Sequence, residues 1–312
     1  MCVHNAEHWL REAVESILGQ TLPTFEFIVV DDGSTDGSAD ILRSYDDPRM
    51  RVIHQDNAGP ASARNTGILA ATTDYVAYMD ADDVSEPKRL EIQCQFLDTH
   101  PDVAAVGCST RLTDEHGRTI FRQSAPTGPD RCRRRLLDGR FYAFAATLVV
   151  RREVLLAVGL FRTFFRQRED EDLMLRLAER WSLDNVQDAL YRYRINPVGL
   201  THRDLRVGAY YHDLAFAFSQ ERLATGSDRL QRGEPVRPLA PDPGAPAVRS
   251  SLRRVLAGLH LDEAELRKEC GRPWSAALHV LRALTLDPWR RTTVRHCWKA
   301  LRERRSSVLF AP

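Results

Sequence analysis

At 312 residues the chain can bury one large core, or one domain plus a smaller companion, and its 44 basic against 43 acidic residues leave a formal charge of +1, no overall electrostatic footprint for nucleic acid. Its six cysteines include no C-x-x-C pair and no zinc-type spacing, so they read as reduced thiols of a cytosolic protein. No signal-peptide pattern is visible at the start, and the longest apolar run, Phe141 to Val150 with its one polar Thr147, is too short to cross a bilayer.

Met1-Cys2-Val3-His4 reads as the last residues of a strand. Asn5 to Gly19 places Leu10, Val14, Ile17 and Leu18 on one face, which predicts a helix closed by Gly19 and Pro23. Phe25 to Val30 is a β-rich run ending at Asp31-Asp32-Gly33-Ser34-Thr35-Asp36-Gly37. There Ser34 or Thr35 would cap a helix from Ser38 to Ser44. Arg51 to His54 is a third short strand, the loop Asn57 to Ala61 feeds a helix through Asn65, Ile68 and Leu69, and a strand follows from Tyr75. Strand and helix thus alternate from residue 1 to 83, as in βα units of a parallel sheet.

Beyond Asp83, Pro87 opens a helix to Leu97, Val103 to Cys108 is a strand, and Asp114 to Gly117 is a hairpin turn. A proline-glycine loop, Ala125 to Asp130, precedes a short basic helix whose Arg131 to Arg135 cluster reads as a solvated face. A strand over Ala145 to Val150, a helix over Glu153 to Val158 ended by Gly159, and an amphipathic helix from Asp170 to Arg180 follow. Gly226 to Pro246 holds five prolines and three glycines and reads as a linker. The expected organisation is a domain over 1–215, a linker over 226–250 and a helical extension over 251–312.

The stretch Tyr75-Val76-Ala77-Tyr78-Met79-Asp80-Ala81-Asp82-Asp83 organises the rest. It is a strand that runs into three carboxylates, and open α/β sheets bind ligands at such carboxyl ends. Carboxylates that close repel one another unless a cation sits among them, and oxygen-only ligands favour Mg²⁺ or Mn²⁺. Asp31-Asp32 ends an earlier strand, Arg64-Asn65 opens a helix, and Glu169-Asp170-Glu171-Asp172 opens a late one. Taken singly, Asp80 to Asp83 reads as well as an acidic, solvated turn, Asp31-Asp32 reads first as a turn with an N-cap, and the Glu169 to Asp172 cluster reads first as acids at a helix start.

Taken in order, the motifs are an Asn-Ala-Glu helix, Val-Val-Asp-Asp-Gly-Ser-Thr-Asp-Gly, Asn-Ala-Gly-Pro-Ala-Ser-Ala-Arg-Asn-Thr-Gly, Met-Asp-Ala-Asp-Asp and Glu-Asp-Glu-Asp-Leu-Met-Leu-Arg-Leu. Over roughly residues 1–200 this resembles family 2 of the glycosyltransferases, inverting enzymes of the GT-A fold. The resemblance implies an α/β, Rossmann-like domain with a mostly parallel central sheet flanked by helices, here with a helical C-terminal extension. It implies transfer of a hexosyl group from a nucleotide-sugar donor, commonly UDP-linked, to a hydroxyl acceptor. That acceptor would be a sugar or lipid-linked sugar in cell-surface polysaccharide or glycoconjugate synthesis. Asp31 would meet the nucleobase with Asp32 close by, and Arg64 would approach the base or the diphosphate. Asp80 and Asp82 match the Asp-x-Asp element, Asp82 with Asp83 would hold ribose and a divalent Mg²⁺ or Mn²⁺, and Asp170 matches the general base.

The sequence departs from this pattern in three places. Only four residues of the family's first strand precede the Asn-Ala-Glu helix, so we expect upstream codons to supply the remainder. His4 stands where Tyr is frequent, and Asn196 where many members carry a His near the metal, with His202 as a substitute. The basic stretch Trp289 to Arg305 reads as a packed helix with a solvated charged face, or as peripheral contact with anionic lipid at the cytoplasmic face. Two rival functions are a catalytically silent nucleotide-sugar-binding partner protein and a metal-dependent nucleotidyltransferase. The second should show a glycine- and lysine-rich phosphate loop, and none is visible.

Overall fold

The computed structural model describes residues 1–195, 205–239 and 252–286, and the chain divides into two units, Met1–Val248 and Arg249–Pro312. In the first unit β1 (Cys2–Val3), β2 (Phe27–Asp32) and β3 (Met50–Gln55) form a parallel sheet in that order. The intervening helices are α1 (Leu10–Leu18) and α2 (Ser38–Arg43), and α3 (Pro60–Ala70) leads on to β4 (Tyr75–Ala77). A second sheet has the order β4-β8-β6-β9-β5, with β5 at Val84–Ser85, β6 at Val103–Thr113, β8 at Val149–Arg151 and β9 at Ser182–Arg194. The strand β7 (Thr119–Gln123) pairs with β6 through the expected Asp114–Gly117 turn, where Gly117 has φ +77°. Cys2 bridges Asp80 in parallel, so the two sheets meet beside the carboxyl ends of β1, β2 and β4.

The α/β expectation holds, with one difference of degree. The first sheet is parallel throughout, whereas in the second only β6 and β9 run parallel. Apolar periodicity identifies a strand without fixing its direction, which is set by distant pairing partners. The strand expected over Ala145 to Val150 is a 3-10 turn, Ala145–Thr147, followed by β8.

The first helix begins at Leu10 rather than Asn5, because the preceding residues are engaged elsewhere. Asn5 has φ +52°, donates its amide to Ser34 Oγ at 3.1 Å, and accepts the Thr35 amide on Oδ1 at 2.8 Å. The Ala6 amide reaches Ser38 Oγ at 2.9 Å, and Glu7 Oε2 accepts the Gly37 amide at 2.7 Å. Ser34 and Thr35 therefore lock two motifs together instead of capping α2. That helix starts after Gly37, with Asp36 Oδ1 accepting the Ser38 amide at 2.9 Å. Leu10, Ala13, Val14 and Ile17 of α1 are buried, and a fully buried aliphatic side chain is worth about 1.5–3 kcal/mol.

Three further helices surround the second sheet: α4 (Arg89–Thr99), α5 (Pro129–Leu137) and α6 (Arg152–Val158). Arg89 is fully buried and donates to the carbonyls of Tyr78 at 2.8 Å and Ala146 at 3.0 Å, so α4 fixes the end of the β4 segment. Only part of α5 is the solvated face expected: Arg133 and Arg134 are exposed, but Arg135 is buried and donates to the Phe141 carbonyl at 2.7 Å. Residues expected to begin a linker pack on the helix Leu205–Thr225. Asp228 is fully buried, and Leu230 and Val236 join the Phe165, Tyr211, Phe218 cluster. The second unit contains two helices, Leu252–Glu269 and Pro273–Leu286, packed through Ala257, Leu261 and Ala283. Asn196, His202, residues 240–251 and the basic stretch 289–305 lie outside the described residues.

A cavity of about 430 Å³ lies beyond Met1, between β2 at Phe27 and Ile28 and β4 at Tyr75 to Ala77. The Met1 nitrogen donates to the Ile28 carbonyl at 2.8 Å.

Candidate active site

At the end of β2, Asp31 and Asp32 do different things. Asp31 Oδ1 accepts the Ser34 amide at 3.0 Å and Oδ2 lies 3.0 Å from His54 Nδ1. Burial pushes the Asp31 carboxyl up, but hydrogen bonds from Ser34 and His54 prevail and hold it below the usual range. Asp32 spends both oxygens on the loop before α3: Oδ1 accepts from Gln55 at 2.7 Å and the Ala58 amide at 2.9 Å, and Oδ2 accepts the Gly59 amide at 2.9 Å. Gly59 has φ +86°, a conformation that glycine adopts without strain, and Pro60 follows as the first residue of α3. Asp32 thus sets where α3 begins, and with it where Arg64 points.

The turn after β4 carries Asp80, Asp82 and Asp83. Asp80 Oδ1 accepts from Arg64 at 3.3 Å, and its amide donates to the Tyr191 hydroxyl at 3.2 Å. Asp82 is half-buried, and its carbonyl accepts from Arg194 Nε at 2.9 Å. Asp83 is buried, and its Oδ1 accepts the Arg194 amide at 2.7 Å. Its Oδ2 is buried without a hydrogen bond of ordinary geometry among the described residues. Burial first, then the charges of Asp82 and Asp80, push the Asp83 carboxyl well above the usual range. Arg194 also donates to the Glu115 carbonyl at 2.9 Å and to Glu12 at 2.6 Å, so one guanidinium ties this turn to α1 and to the β6–β7 hairpin.

The third element is α7 (Glu169–Arg180), whose four leading acids face four environments. Glu169 is buried and ion-paired with Arg64. Asp170 is half-buried, with Oδ1 accepting the Glu171 amide at 2.9 Å. Both Glu171 carboxylate oxygens lie 2.9 Å from His212 Nδ1, and this contact raises the His212 pKa. Asp172 is fully buried between Arg162 and Arg176, 2.9 Å from the Nε of each. Arg162 continues to Asp228 at 2.7 Å, which also pairs with Arg222.

These groups converge. Arg64 bridges Asp80 and Glu169, joining the end of β4 to the first turn of α7. Burial works against the Arg64 charge, but Glu169 and Asp80 raise its pKa. Tyr193 stacks on Phe144 with ring centroids 4.6 Å apart. Burial, then the charges of Asp83, Asp82, Asp80 and Asp170, raise the Tyr193 phenol above its ordinary value. Sequence reasoning named the acids and Arg64 but missed Glu169 as an ion-pair partner, and it missed Arg194 and Tyr193. The one available signal was the Tyr-Arg-Tyr-Arg alternation at the end of β9. Among the described residues, no three His, Cys, Asp or Glu side chains form a ready-made metal cage.

Residues 1–159 match the Glycosyl transferase family 2 profile. EpsH of Bacillus subtilis is 31% identical over 213 residues, covering 65% of this chain and 62% of EpsH. The chain spans 32% of the length of relatives from Rickettsia. Among solved structures, TarS 1-349 of S. aureus in complex with UDP-GlcNAc superposes with a TM-score of 0.55 at 18% identity, covering 98% of this chain and 90% of that one. The mannosyltransferase PcManGT of Pyrobaculum calidifontis, in complex with GDP-Man and Mn²⁺, gives 0.52 at 20% identity, covering 100% and 79%. The fold is therefore of the GT-A type.

The different surroundings of the four acids can be tested by denaturation. Asp172→Asn uncovers two buried guanidinium groups and should cost about 3–5 kcal/mol. Asp170→Asn touches no such network and should stay within about 0.5 kcal/mol of the parent. Equal losses in urea melts would contradict this division.

Proposed function

The chain belongs to family 2 of the glycosyltransferases, and from that premise we propose that it moves a sugar, with inversion, from a nucleoside-diphosphate sugar to a hydroxyl acceptor. The observation that carries this reading is the Arg64 bridge, because it draws the strand-end carboxylates and the start of α7 to one locus. Asp31 takes the nucleobase edge, Asp80 with Arg64 lines the ribose and diphosphate, and Asp32 holds the loop that aims Arg64. Two neighbours of this fold, one with UDP-GlcNAc and one with GDP-Man, support the donor class, and uridine is the base we propose.

A divalent ion fits the turn after β4. Mg²⁺ and Mn²⁺ in phosphate sites take one or two carboxylates and complete their shell with phosphate and water, so no three-residue cage is needed. The buried Asp83 Oδ2 and the mutual repulsion of Asp82 and Asp83 supply the reason for a cation there. Asp82 and Asp83 would hold it, and when bound it offsets charge on the departing diphosphate. Asp170 takes the proton of the acceptor hydroxyl as the new bond forms. One base opposite one leaving group gives a single displacement, with no second carboxylate acting as nucleophile. We propose a sugar or lipid-linked sugar of a cell-surface glycan as the acceptor. Among the described residues no helix is long and apolar enough to cross a membrane.

A thermal-shift panel of UDP- and GDP-sugars with Mn²⁺ should show stabilisation by one donor, and its absence throughout would remove the donor assignment. With that donor, Asp170→Asn should cut turnover by about 10²–10⁴-fold, the range of general base catalysis, and leave nucleotide binding intact. Unchanged turnover would remove Asp170 as the base.

A further inference from the structure

Two successive residues of α3 grip the segment that carries the first turn of α7. Asn65 clamps the Phe161 backbone both ways, with Nδ2 donating to the carbonyl at 2.8 Å and Oδ1 accepting the amide at 2.9 Å. Arg64 lies over the Phe161 ring, 5.4 Å from its centroid, and sends one nitrogen to Glu169 and the other to Asp80. The side chain of Glu169 is 6% exposed and that of Asp80 34%. One arm of the bridge is thus dry, and the other opens toward the carboxylate turn.

The connector between these grips is strained. Leu160 has φ +61° and Arg168 φ +63°, a left-handed backbone that a non-glycine residue keeps only where neighbours over-determine it. At Leu160 those neighbours are Asn65, through the Phe161 amide, and Arg176, whose guanidinium donates to the carbonyls of Val158 and Leu160 at 2.7 Å each. Asp170 stands two residues past Arg168 and next to the Glu169 that Arg64 holds.

We infer that Glu169 is a positioning residue: through Arg64 it registers the first turn of α7, and Asp170 with it, against the carboxyl end of β4, so that donor occupancy is felt at the base. The inference rests on the reading of Asp80 as a donor contact and Asp170 as the base. When a donor engages Asp80 and Arg64, Glu169 remains the protein's anchor on that guanidinium, and the first turn of α7 is tied through it to the occupied donor site. The low-dielectric setting of the Glu169 arm strengthens that tie.

Amide hydrogen exchange on the full chain tests this, with UDP plus Mn²⁺ and GDP plus Mn²⁺ as probes. In the parent protein, nucleotide should slow exchange in the turn 80–83 and in the first turn of α7. In Glu169→Gln the turn 80–83 should still respond and α7 should not, while Glu169→Asp should recover part of the α7 response. If Glu169→Gln does not fold, Glu169→Asp is read in its place, with an α7 response weaker than the parent's and an unchanged response of the turn 80–83. In turnover assays Glu169→Gln should lower kcat, by up to about 10²-fold for a displaced base, with donor KM unchanged. An α7 response equal in parent and Glu169→Gln, or a response of 80–83 alone in the parent, overturns the coupling. A rise in KM with kcat intact overturns it as well. No response anywhere in the parent overturns the donor reading beneath it.

Discussion

Negative charge gathered at one place needs an answer in positive charge or in hydrogen bonds, and in this protein arginines from distant parts of the chain supply it. Arg64 answers Asp80 and Glu169, the Arg194 backbone and side chain secure Asp83 and Asp82, and Arg162 with Arg176 enclose Asp172. Guanidinium suits the task because it stays charged when buried and presents donors in fixed directions. Buried pairs of this kind stabilise weakly in net terms, since desolvation consumes most of the attraction. Their effect is geometric: carboxylates from separate elements are held at fixed separations.

The same arrangement makes the site depend on contacts between distant parts of the chain. Asp83 and Arg194 are 111 residues apart in sequence, and Arg64 and Glu169 are 105 apart. Loop closure on that scale must be paid before either contact gives anything back. The apolar face of α1 is a local feature, whereas the carboxylate turn is held in shape by Arg194 at the end of β9. Arg89 assists from the core: it fixes the carbonyls of Tyr78 and Ala146 and so anchors the segment that reaches Asp80.

This dependence on distant partners also decides what could be read from sequence. The βα alternation to residue 83, the Asp114–Gly117 hairpin turn and the acidic strand ends are local features, and each is present in the structure. The mixed second sheet was not legible, because strand direction is set by partners far along the chain. Nor was the start of α1: Asn5 and Glu7 have adequate helical surroundings, but Ser34 to Gly37 take their hydrogen-bonding groups. Arg194 carries no local signal of burial on its alternating strand, yet it is buried because the strand ends against Asp83.

The sequence Glu169-Asp170-Glu171-Asp172 shows why composition alone could not separate structural acids from chemical ones. On a helix, residues three apart share a face, so Glu169 and Asp172 both turn inward, where each meets arginine. Asp170 and Glu171 lie on the other side, and Glu171 is occupied by His212. Asp170 is then the half-exposed acid of the four that has no ion pair among the described contacts. A proton acceptor must have a lone pair that its own protein does not hold in an ion pair. The three neighbouring acids have surrendered theirs, two of them to keep the helix in place, and this difference in surroundings is the ground on which Asp170 is proposed as the base.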